Sequence, residues 1–113
     1  MDQDFELCKK SIEAVSNIFA GKWTFLLLGE LHDGPKRFNE LNKAMNISTK
    51  SLTDTLKQLE KHGIIKRSAF ATVPVTVEYS LTPKGKDFEQ VLLSMRIWAE
   101  KWIAEELTQS TLS

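Results

Sequence analysis

Cysteine is nearly absent from this 113-residue chain. Cys8 stands alone, so no intramolecular disulfide can staple the fold, and a reducing cytosol is the expected setting. Long apolar runs are missing as well. The longest, Phe25–Leu28 ("FLLL"), falls far short of the roughly 20 residues a membrane-spanning helix needs. The opening "MDQDFELCKK" is acidic and lacks the apolar stretch of a signal peptide. No spacing of His, Cys, Asp or Glu suits a metal, and neither a glycine-rich phosphate loop nor a nucleophile elbow occurs. His32 and His62 fall at helix ends, where imidazole favours the dipole, rather than in a catalytic pattern. No enzyme activity, cofactor, metal or membrane partner is therefore expected.

Charge of one sign is also missing overall, since 15 cations balance 15 anions. Its distribution is uneven. Residues 1–34 carry three cations against six anions, residues 35–68 eight against three, and residues 69–113 four against six. A basic middle third in a neutral chain suits a polyanion, with a solvated helix face as the alternative. At this length, with 42% hydrophobic residues, one domain spanning 1–113 is expected.

Apolar periodicity divides that domain. "ELCKKSIEAVSNIF" spaces Ile12, Val15, Ile18 and Phe19 as one helix face, and "WTFLLLGEL" is apolar on most sides, as in a core helix. "LHDGPKRFNEL" reads as a helix, a stop at Gly34-Pro35, and a third helix from about Arg37 to Met45. Asn46 permits a tight turn, Ser48 caps a fourth helix and Gly63 stops it. "IIKRSAF" and "VTVEYSL" then read as a hairpin with its tip at "ATVP", and Thr82-Pro83 opens a last helix to about Glu106. The fold class is α+β, ordered α-α-α-α-β-β-α. Helices followed by a hairpin in this order describe a winged helix-turn-helix, with about 35–81 as its DNA-binding core.

The fourth helix carries the strongest signal. At about 100° per residue, Leu52, Leu56 and Leu59 share one face, and Lys50, Lys57 and Lys61 cluster nearly opposite, with Asp54 among them and Thr53 at their edge. Ammonium groups suit phosphates, and shorter polar side chains reach base edges of double-stranded DNA. Ser48, Thr49 and Lys50 also offer backbone N–H groups at the helix start. Lys36 and Arg37, read at the start of the third helix, suit a backbone clamp, and Arg67 flanks the wing. The hairpin tip has no Lys or Arg, so a strong basic wing contact is not expected. A protein-binding winged-helix module without specific DNA binding is the rival reading; exposed apolar anchors, rather than a lysine face, would mark it.

Four blocks, "GKWTFLLLGEL", "DGPKRFNEL", "LTDTLKQLEKHGIIKR" and "VPVTVEYSLTPKGK", occur in register, and by them the chain resembles the HxlR-type, MarR-like winged-helix regulators of bacteria from about Ser11 to Trp102. The resemblance implies a dimeric transcription regulator on a roughly palindromic operator, with the first and last helices (about 6–20 and 83–106) building the dimer. The residues agree: Phe88, Val91, Leu92, Met95, Trp98, Ala99, Trp102 and Ile103 form a wide stripe, with Leu93 and Ile97 on another side. One helix of a small domain cannot readily bury both, so a homodimer interface of Ile12, Val15, Phe88, Leu92, Met95, Trp98 and Trp102 is expected.

Many members of this family carry an N-terminal Cys-Pro, and in some the thiol senses oxidants or electrophiles. Aligned on "GKW", those positions are Lys10 and Ser11 here, so Cys8 stands two residues early. Adjacent Lys9 and Lys10 near a helix start would favour its thiolate, the alternative being an inert thiol. Cys8 is the candidate redox site for an oxidant or small-molecule effector, a pocket at the dimer seam beside Trp23, Trp98 or Trp102 being a further option. The wing departs too, having Pro74-Val75-Thr76 where the family often has Pro-Pro-Arg.

Overall fold

The structure is a computed structural model. It describes the backbone of residues 2–112 and the side chains of residues 3–108, so Met1 and Ser113, the ends of the expected 1–113 span, lie outside the described residues. Helices α1 (Asp2–Ile18) and α2 (Trp23–Glu30) lead to a two-residue strand β1 (Lys36–Arg37). Then come α3 (Phe38–Met45), α4 (Thr49–Lys61), and strands β2 (Ile65–Phe70) and β3 (Thr76–Leu81). The chain ends in α5 (Pro83–Asp87), α6 (Glu89–Trp102) and α7 (Ala104–Leu112).

The core is built from Leu27, Leu28 and Leu31 at α2, Leu41 of α3, Ile47 of the turn, and Leu52, Leu56 and Leu59 of α4. Ile64, Ile65 and Leu81 close it from the sheet side, and Phe19 from the end of α1. The turn between α3 and α4 needs a left-handed residue, which Asn46 supplies at φ 49°. The Asn42 side chain donates to the Ile47 carbonyl at 2.7 Å, which ties α3 to the turn, and Ser48 caps α4 by accepting from the Ser51 N–H at 3.1 Å. Gly85 sits so close to the preceding segment that a Cβ there would lie 2.2 Å from the Ile64 carbonyl oxygen.

Two expectations are corrected. Lys36 and Arg37 form a short strand, β1, paired with Tyr79 and Glu78, so that only Arg37 stands at the start of the third helix, as its N-cap, and the antiparallel sheet runs β1-β3-β2. Their partners lie some forty positions away in sequence, beyond the reach of any local pattern. The last helix is not continuous either. It breaks at Phe88 and again at Ile103, where φ is −130°. At the first break the Phe88 ring turns inward onto Phe19, with ring centroids 4.3 Å apart, and Phe25 stacks on Phe19 at 5.1 Å.

Candidate nucleic-acid interface

Helix α4 divides as its periodicity requires. Leu52, Leu56 and Leu59 are 0–3% exposed, while Thr49, Lys50, Lys57 and Lys61 are exposed and Thr53 half-buried. Ser48 caps it and stays exposed. Because the leucines anchor the helix on the core, the lysine side is held outward. The cations are not equivalent. Lys50 Nζ lies 3.0 Å from the Asp54 carboxylate, whereas Lys57 and Lys61 have no ion pair among the described residues.

Strand β2 brings a further cation to this face. Ile65 and Arg67 share one side of β2 and pair with Leu81 and Tyr79, while Lys66 points to the other side of the sheet. Ile65 is buried against α4, and so Arg67 is carried to a cleft of about 140 Å³ between α4 and the sheet. Thr53, Lys57 and Glu60 of α4 line it, with Phe38, Leu56 and Tyr79. Sequence reasoning missed Tyr79 and Glu60; strand register was the signal for Tyr79 and helix phase, three residues after Lys57, for Glu60. Arg37 is exposed immediately before α3, and its N–H donates to Glu40 Oε1 at 2.9 Å; Lys36 is half-buried on the opposite side of β1.

The hairpin tip is uncharged and internally hydrogen-bonded. Thr72 Oγ1 lies 2.7 Å from the Pro74 carbonyl and 2.9 Å from Thr76 Oγ1, while Phe70, Val73 and Val75 face solvent. Tip and cleft together give a surface on which cations come from α4 and the base of the wing, not from its end.

With a helix-turn-helix, a wing and a cationic helix in one arrangement, relatives can be compared. The family profile for HxlR-like helix-turn-helix proteins matches residues 18–107. The chain belongs to this family. It is 45% identical over 100 residues to the HTH-type transcriptional regulator YdeP of Bacillus subtilis, covering 88% of this chain and 77% of YdeP. It superposes with a TM-score of 0.74 and 38% identity on the redox regulator HypR in its oxidised form, covering 80% of this chain and 95% of HypR. For reduced YodB from B. subtilis the TM-score is 0.76 with 35% identity, over 82% of this chain and 92% of YodB. This HxlR-like protein is accordingly a DNA-binding transcription regulator of the winged helix-turn-helix fold.

The remaining expected positions lie away from α4. Among the dimer candidates, Ile12 and Val15 of α1 and Met95, Trp98 and Trp102 of α6 are 37–66% exposed, whereas Phe88 and Leu92 pack on the chain's own core. Cys8 is exposed. The helix containing it begins by Asp2 rather than near Glu6, so Cys8 sits in its second turn. Lys9 is engaged elsewhere, 3.4 Å from Glu6 and over the Phe5 ring. Among the described residues no helix is long and apolar enough to cross a membrane.

Proposed function

We propose that two copies of the chain pair through α1 and α6 and place their α4 helices on successive half-sites of a roughly palindromic operator in the cytoplasm. The observation that carries this reading is the division of α4, leucines inward and lysines outward, with Arg67 brought beside Thr53 and Lys57. In this reading Lys57, Lys61 and Arg67 hold phosphates, with Lys50 weaker because Asp54 already engages it. Ser48, Thr49 and Arg37 meet the backbone near helix starts, Lys36 lends charge from the sheet's edge, and Thr49 and Thr53 read base edges. The chain acts as a binder and switch and catalyses nothing. Residues 35–81 form the reading unit and the terminal helices the pairing unit.

Cys8 is the proposed point of chemical input. Support comes from its exposure on α1 and from the relatives: HypR is described as a redox regulator, and YodB has been solved diamide-treated and quinone-bound. The test is a titration against a duplex from the protein's own upstream region at two salt concentrations, with and without diamide. Tight, salt-sensitive binding that exceeds binding to scrambled DNA is expected, with loss on oxidation that is absent in Cys8→Ser. Binding indifferent to diamide would remove Cys8 from the mechanism, and equal affinity for scrambled DNA would remove the operator.

A further inference from the structure

Helix α1 is a lever with one hold. Every residue from Gln3 to Asn17 is exposed, and the helix, about 25 Å long at 1.5 Å per residue, meets the body only at its C-terminal end. There Phe19 is buried in the stack with Phe25 and Phe88, and its carbonyl accepts from the buried Thr24 hydroxyl at 3.1 Å. The neighbouring carbonyl, that of Ile18, accepts from the side-chain amide of Gln58 at 2.8 Å. Gln58 belongs to α4, one residue after Lys57 and one before the fully buried Leu59. Forty positions separate donor from acceptor, and the bond is partly shielded from water.

We infer that Gln58 is a positioning residue that couples the tilt of α1 to the placement of α4. The carbonyl of Ile18 has no following helical turn to bond, because α1 ends there. Gln58 satisfies it, so a rotation of α1 about its end must either drag Gln58 along or break a half-shielded hydrogen bond. The fully buried Leu59 beside Gln58 packs α4 against the core, so a pull on Gln58 is borne by the packed helix as a unit. Lys57 rides on the same turn and would move with it. The inference rests on α4 being the DNA-reading helix. It adds the route by which events on the exposed lever, whether pairing or thiol chemistry, reach that helix. By linkage the route runs both ways, so DNA on α4 must also be felt along α1.

Amide hydrogen exchange reads this directly in the full-length protein, with a duplex from its own upstream region as the probe. In the wild type, DNA should slow exchange several-fold in the last two turns of α1 as well as in α4. Gln58→Met keeps the side-chain length and removes the donor. It should retain the DNA-induced protection of α4 and lose that of α1. Gln58→Lys, which keeps an N–H donor of similar reach, should restore the α1 response, and comparable thermal midpoints would show that both variants fold. An α1 response that survives in Gln58→Met, or that Gln58→Lys fails to restore, would overturn the coupling. So would a wild type whose α4 is protected by DNA while α1 is not. A wild type that binds no DNA would overturn the α4 reading as well, and the absence of α4 protection tells that failure apart.

Discussion

Two regions of this molecule treat apolar side chains in opposite ways. Between Trp23 and Leu81, Leu26 and the hairpin's Phe70, Val73 and Val75 aside, they mostly point inward, and Leu27, Leu28, Leu41, Leu52 and Leu59 are all wholly buried. Along α1 and α6 they point outward, with Phe5, Ile12, Met95, Ile97, Trp98 and Trp102 each 45–66% exposed. The radius of gyration, 16.3 Å, exceeds the about 13 Å expected of a compact globule of this length, because the terminal helices stand off the body. Burial stabilises apolar surface by about 25 cal/mol per Å², so the first region holds itself together, whereas the second leaves that gain to be collected on association. One region is a self-sufficient folded body, and the other is an open apolar surface that the proposed pairing would cover.

Breaking the body should have the largest effect. Leu59→Ala deletes a wholly buried side chain facing the core and should cost about 2–5 kcal/mol, seen as a lower urea midpoint independent of protein concentration. Trp98→Asp should leave the body's fold in place and instead shift sedimentation from dimer to monomer. A central tryptophan typically contributes about 2 kcal/mol or more, and a two-fold interface would contain it twice. If Trp98→Asp melted the body as Leu59→Ala does, the contrast between the regions would be false.

A smaller effect separates the cations of α4. Lys57→Ala removes an ammonium that has no ion pair among the described residues and lies on the same cleft as Arg67, and the slope of log affinity against log salt should fall by about 0.9. Lys50→Ala should change it less, because Asp54 already lies 3.0 Å from that ammonium. Equal slopes for the two variants would mean that the Lys50–Asp54 pair opens on DNA. Thr53→Ala should instead alter preference between operator bases, by about 1–3 kcal/mol for a direct base contact, with little change in salt slope.

The sequence displayed what is local and periodic. Leu52, Leu56 and Leu59 fell on one face because helical spacing alone places them there, and Asn46, Ser48 and Gly63 marked ends through their own backbone chemistry. What it hid is non-local. Strand β1 exists only because Lys36 and Arg37 find Tyr79 and Glu78, and the breaks at Phe88 and Ile103 interrupt an unbroken helical pattern. The cleft shared by Thr53, Lys57 and Arg67 needs strand register as well as helix phase, so its residues were legible singly but not as a group.

The smallest effect concerns the seam between the regions. Among the described residues, His32 with Glu89 is the one ion pair that crosses between elements, from just beyond α2 to the start of α6; the others lie within single helices. The Glu89 carboxylate accepts a hydrogen bond from His32 Nδ1 and attracts its positive charge, with a small addition from Asp33, and so raises the imidazole pKa above its ordinary 6.5. A raised pKa means that the folded chain holds the proton more tightly than the unfolded one. The resulting stabilisation is therefore complete below about pH 6.5 and is lost as pH rises through the folded value. Solvent exposure of His32 keeps the effect small, so the urea midpoint should decline only slightly across that window, and Glu89→Gln should flatten the decline. If the pair holds α6 against the body in the paired state, dimer dissociation should steepen over the same pH window; if it serves the body alone, the urea midpoint will move and sedimentation will not.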